Sequence, residues 1–287
     1  MEREPTEYLT ALKEPIVEAT LRAMPEIAAR GERARFYCEQ DTAHNLEHLA
    51  VAVILDGPYL FWAYVRWLQS VLVERGVGAE CLRRNLEITR DVCAAAHDLG
   101  RMLQERILSM LDEGMQALAE PPESLQETPE AEVSRYMHAA LAGQRHEVLS
   151  IVARWVEDVG PATALTRIAA AQQQIGELWQ RNKISVADEH RATALAQVAL
   201  SLLVPFTAGS PGERPPGRAV IACAPGDWHA VGPRIAADLL ELRGYEVEFL
   251  GANTPAEELA KVVEMLRPDL AWCAPHWGAR HYRRARG

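Results

Sequence analysis

The run Ala219-Val220-Ile221-Ala222-Cys223-Ala224 is a strand-length, uncharged apolar segment that gives way to an amphipathic helix pattern over residues 233–243. A second strand pattern at 245–250, a second helix pattern at 255–266 and a third strand pattern at 270–273 follow. Such alternation predicts a parallel sheet with right-handed crossovers, with ligand-binding residues at the carboxyl ends of the strands. Residues 6–118 and 131–205 read as helical. A net charge of -10 argues against non-specific duplex binding, which rests on neutralising phosphates. The basic run at 280–286 is short and reads as a solvated tail. No apolar run approaches the ~20 residues of a membrane span, and Met1-Glu2-Arg3-Glu4-Pro5 is not a signal peptide. Cys38, Cys81, Cys93, Cys223 and Cys273 lack zinc-like or Cys-x-x-Cys spacing. A soluble cytoplasmic protein with reduced thiols and no nucleic-acid or membrane partner is expected.

Gly226-Asp227-Trp228-His229-Ala230-Val231-Gly232 follows the first strand. An imidazole there can ligate a metal through one nitrogen while a carboxylate two residues back holds the other, fixing the tautomer and raising basicity. The pattern alone also fits a surface histidine on a loop. Asp-x-His-x-x-Gly resembles the cobalamin-binding domain of methionine synthase, of corrinoid methyltransferase carriers and of cobalamin-dependent photoreceptors. The resemblance implies that His229 replaces the cofactor's own base as lower cobalt ligand. It also implies that Asp227 hydrogen-bonds His229 and that Gly232 leaves room for the displaced nucleotide tail.

Upstream, Trp179 precedes Glu189-His190 in a helical hairpin pattern. Core packing for the tryptophan and a solvated helix start for the pair is the plain reading. The segment also resembles the helical cap over the upper face of cobalamin in light-dependent repressors of the carotenoid-gene type. That resemblance implies adenosylcobalamin as cofactor, with Trp179, Val186, Glu189 and His190 around the adenosyl group. In those repressors the residue after the cap tryptophan is a histidine that later ligates cobalt; this chain has Gln180.

Two proline-rich breaks, 120–130 and 208–217, divide the chain into modules at 1–118, 131–205 and 217–287. The expected class is α/β multidomain: an all-α N-terminal domain, a four-helix-bundle cap and a Rossmann-like parallel sheet. In the cap, helices are expected over 134–141, 147–156, 162–181 and 186–203, with Ser185 capping the last and Asp188 and Glu189 in its first turn. In the third module, Asn253 followed by Thr254-Pro255 is expected to cap the second helix. After Pro275 the sequence no longer resembles the five-stranded relatives, and no Ser-x-Leu or Gly-Gly segment follows. The domain is therefore expected to be curtailed, or its sheet completed by another chain.

The first module is expected to hold a helix ending near Leu55, one over 59–75 and one over 79–119. Tyr59, Phe61, Trp62, Tyr64 and Trp67 suggest core packing plus a dimer face. His44 and His48 share a helical spacing suited to a metal or a propionate, although a surface pair without a third ligand is the plainer reading. A helical domain ahead of such a cap is similar to the photocobilins, which implies biliverdin as a second chromophore. The expected function is a light sensor, not an enzyme, acting as a homo-oligomer toward an unknown downstream protein. A corrinoid carrier for methyl transfer and a scaffold that has lost its cofactor are the alternatives.

Overall fold

The computed structural model describes residues 5–29, 31–96, 100–119, 130–207 and 216–274. Most of both proline-rich breaks and the basic run at 280–286 lie outside them. The described residues fall into two compact units that divide after residue 124.

The first unit runs α1 (Pro5–Ala11), α2 (Lys13–Ala23), α3 (Pro25–Ala28), α4 (Glu32–Ile54), α5 (Pro58–Glu74), α6 (Ala79–Ala95) and α7 (Arg101–Ala117). Pro58 opens α5 at a position where its missing N–H costs nothing. Phe61, Tyr64 and Val65, at three- and four-residue spacing, then bury one face against α4 and α7. Two of the expected aromatics are thus core, Trp67 packs against them, and Tyr59 is exposed. A buried polar chain ties four helices: Tyr64 Oη donates to Asn45 Oδ1 at 2.9 Å, Asn45 Nδ2 to Asn85 Oδ1 at 3.1 Å, and Asn85 Nδ2 to Thr20 Oγ1 at 3.2 Å.

Two expectations for this unit are corrected. Residues 79–119 are not one helix. The Gln104 amide donates to the carbonyls of Cys93, Ala94 and Ala96, supplying the end of α6 with the partners a continuing helix would have given. His44 and His48 do not form a pair either: His48 is buried with its ring stacked on Tyr64 at 3.7 Å, and His44 is exposed.

The second unit begins with the cap, α8 (Ala131–Leu141), α9 (Arg145–Val159), α10 (Pro161–Gln180) and α11 (Val186–Ser201), followed by the short α12 (Val204–Thr207). Val133, Tyr136, Val148, Ile151, Trp155, Leu165, Ile168 and Ile175 fill its core. Ser185 caps α11 as expected. Its Oγ accepts from the Asp188 N–H at 3.2 Å, while the Asp188 carboxylate accepts from the Ser185 hydroxyl at 2.7 Å and from the Ser185 N–H at 3.0 Å, which together hold the carboxyl below its usual range.

β1 (Arg218–Cys223), α13 (Val231–Glu241), β2 (Glu246–Gly251), α14 (Ala256–Leu266) and β3 (Leu270–Ala274) complete the unit. All pairings are parallel and the order is β2-β1-β3, so the chain leaves β1 to one side and returns on the other. β1 is buried from Ala219 to Cys223, as an uncharged central strand must be. Ile235 of α13 enters the cap core, with Val231, Leu239 and Leu242 packed against it. Burying that isoleucine contributes about 2 kcal/mol toward joining cap and sheet. Cap and α13 therefore share one hydrophobic core.

Candidate functional site

The carboxyl end of β1 is the reversal point of the sheet, where an open parallel sheet leaves a crevice. The loop that emerges there is tied down at each step. Asp227 N donates to Ala224 O at 3.0 Å, Gly226 takes a φ of +81° that favours glycine, and the Gly226 N–H donates to Asn253 Oδ1 at 2.7 Å. Asn253 N in turn donates to Asp227 O at 2.8 Å, and Thr254 N to Cys223 O at 3.2 Å. Asn253 is thus a clamp between loops rather than the helix cap expected of it. The N-cap of α14 is Pro255, and Asn253 takes the left-handed conformation, φ +49°, that asparagine tolerates best after glycine.

On this fixed loop Asp227 and His229 meet as the sequence predicts. Asp227 Oδ1 lies 2.8 Å from His229 Nδ1 and also accepts from the His229 backbone N–H at 2.8 Å. The carboxylate is 2% exposed while the imidazole is 57% exposed. A buried anion engaged with Nδ1 sets the tautomer and orients the ring, so ligation by this histidine falls to Nε2. Trp228 between them is 72% exposed. Gly232 lies in the first turn of α13, and a Cβ there would meet nothing within 4 Å among the described residues. Cys223 and Cys273 lie close enough to feel Asp227. Burial pushes the Cys223 thiol up to about 11 and raises Cys273, with the Asp227 charge adding to both, so they stay protonated at neutral pH.

The cap residues sit on either side of the α10–α11 turn. Trp179 and Gln180 end α10, half-buried, and Val186, exposed, begins α11. Glu189 Oε2 lies 2.6 Å from His190 Nδ1, and Glu189 Oε1 accepts from Thr193 Oγ1 at 2.6 Å. Thr193 Oγ1 also lies 3.4 Å from Gln172 Oε1, and Gln172 Nε2 donates to Ala192 O at 3.3 Å. Gln172 and Thr193 are the residues that sequence reasoning missed. Their only sequence signal is helical spacing, seven residues before Trp179 and four after Glu189. α13, which starts just after His229, packs on α10 and α11.

Among the described residues no group of three or more His, Cys, Asp or Glu side chains is placed to hold a metal ion. One oriented histidine cannot retain a bare ion, but it suffices for a metal that arrives inside a macrocycle supplying the equatorial nitrogens. The donor set therefore fits a corrinoid. Residues 133–203 match the B12 binding domain family B12-binding_2, and residues 217–274 match the B12 binding domain family B12-binding. The cap and the Rossmann-like module are thus each similar to a B12 binding domain.

Over these modules the chain is similar to two curated repressors. The HTH-type transcriptional repressor CarA of Myxococcus xanthus is 32% identical over 186 residues, 63% of this chain and 60% of CarA. The HTH-type transcriptional repressor CarH of the same organism is 31% identical over 169 residues, 57% of this chain and 55% of CarH. Dimethylamine corrinoid protein 2 of Methanosarcina acetivorans is 23% identical over 154 residues, 53% of this chain and 68% of that protein. The chain thus spans between half and two thirds of the length of the two repressors. No helix among the described residues is long and apolar enough to cross a membrane.

Proposed function

We propose that this protein is a light sensor that holds adenosylcobalamin between the cap and the Rossmann-like module. His229 Nε2 would ligate cobalt, Asp227 would orient the ring, and Gly232 would leave room for the nucleotide tail. Trp179, Val186, Glu189 and His190 enclose the adenosyl group. The observation that carries this reading is the buried Asp227 carboxylate 2.8 Å from Nδ1 of an exposed histidine at the reversal point of the sheet, in the same unit as the cap motif. The bound cofactor supplies a light-labile cobalt–carbon bond. The chain's own residues would set the response: an adenosyl group enclosed by Trp179, Val186, Glu189 and His190 would on its loss leave an emptied site, which costs free energy and would favour a shift of the cap. Gln180 stands where the light-dependent repressors have a histidine, so this position would supply no second histidine to the cobalt. The signal leaves by a change of homo-oligomer or by a partner protein, with biliverdin in the first module as second chromophore. The modules at 1–118, 131–205 and 217–287 then serve as bilin-binding, cap and cobalamin-binding domains.

The test is reconstitution of the purified protein in the dark with adenosylcobalamin and biliverdin, separately and together, followed by absorption spectra before and after green and red light. Retained corrinoid with a light-driven change that His229→Ala weakens, and a red-absorbing bilin band, are expected. No retained corrinoid sinks the reading in favour of a scaffold. The similarity to a dimethylamine corrinoid protein favours one other reading, a methyl carrier. Methylation of the bound cobalamin by a partner enzyme, with no response to light beyond that of the free cofactor, decides for it.

A further inference from the structure

Glycine disfavours a helix more than any residue but proline, so each one inside a helix calls for a reason. Gly114 of α7 has a packing reason, because a Cβ there would lie 2.8 Å from the Phe61 ring. Gly176 of α10 has none among the described residues: its φ is not positive, it is half-buried, and a Cβ would meet none of them within 4 Å. Helical spacing puts Gln172, Trp179 and Gln180 beside it at i-4, i+3 and i+4. Gln172 reaches the Ala192 carbonyl and lies 3.4 Å from Thr193 Oγ1, the hydroxyl that holds Glu189. The open side of Gly176 therefore belongs to the strip of α10 that carries Trp179 and looks toward the start of α11.

We propose that Gly176 is a specificity-determining residue whose missing side chain keeps the clearance a bulky organic group on the upper face of cobalt requires. The site then accepts an adenosyl group, and a side chain at 176 shifts its preference to a small one such as methyl. This inference rests on the cobalamin reading of the site.

Gly176→Ala and Gly176→Leu test it through two readouts, the melting temperature of the apoprotein and dark dissociation constants for adenosylcobalamin and methylcobalamin. Both substitutions introduce better helix formers into open space, so neither lowers the apoprotein melting temperature. Leucine raises the ratio of the adenosylcobalamin to the methylcobalamin dissociation constant by about tenfold or more, the scale on which a few methylenes in a pocket discriminate, and alanine moves it less in the same direction. An unchanged ratio overturns the proposal, whether both affinities persist or both fall together. So does a lowered apoprotein melting temperature, which would mean the new side chain meets protein. If the wild type retains neither corrinoid, the cobalamin reading falls first and this inference with it.

Discussion

Asp227→Ala isolates the contribution of a buried carboxylate to cofactor ligation. The substitution removes two bonds of 2.8 Å, to the backbone N–H and to Nδ1 of His229, and leaves in place the backbone ties from Asp227 N to Ala224 O and from Asn253 N to Asp227 O. The loop thus keeps its path while the ring loses its orienting partner. A hydrogen bond to a charged group is worth about 1.5–3 kcal/mol. Losing the outer partner of a metal-bound histidine costs roughly 10–100-fold in affinity, or about 1.4–2.8 kcal/mol at tenfold per 1.4 kcal/mol. Absorbance titrations with cobalamin on wild type, Asp227→Ala, His229→Ala and the double variant close a thermodynamic cycle. The expected result is a loss in that range for Asp227→Ala alone and almost none when His229 is already absent. Equal losses in both backgrounds would refute the argument, because Asp227 would then act on the loop and not through the imidazole.

Two predictions concern stability. Asp238 of α13 is 3% exposed, paired with Arg234 at 2.7 Å, and its Oδ2 is buried with no hydrogen-bond partner among the described residues. Burial raises its pKa and Arg234 only partly offsets this, so the folded state holds the proton more tightly than the unfolded chain does. Stability is lost as pH rises from the ordinary carboxylate value through the raised one. The melting temperature of the wild type relative to Asp238→Asn should accordingly rise as pH is lowered through that window; a pH-independent difference would contradict it. Ser185→Ala removes the hydroxyl arm of the capping box and should cost about 1 kcal/mol. For a domain of roughly 150 residues that lowers the melting temperature by about 2–4 °C, and an unchanged melting temperature counts against the cap.

The strands and helices of the second unit were legible because apolar periodicity switches sharply there, and Ser185 was legible because its cap depends on residues three apart. The Asp227–His229 contact could be read for the same reason, since both residues sit in one turn. Asn253 was misread because its partners, Gly226 and Asp227, are far away in sequence, and only the pairing of β1 with β2 brings the two loops together. The break between α6 and α7 was missed because Gln104 supplies it through side-chain bonds that leave no periodic trace. Gln172 and Thr193 were invisible as a pair until α10 and α11 were packed side by side.

The central claim is that His229 supplies the lower axial nitrogen of bound cobalamin. Electron paramagnetic resonance of the bound cofactor reduced to its paramagnetic cobalt(II) form reads that nitrogen directly, because the axial nitrogen splits the cobalt lines according to its nuclear spin. With histidine in the protein labelled by the heavier nitrogen isotope, the account predicts that the triplet splitting becomes a doublet, and that His229→Ala abolishes the change. A triplet that persists in the labelled wild type would mean that the cofactor keeps its own base on cobalt and would contradict the account.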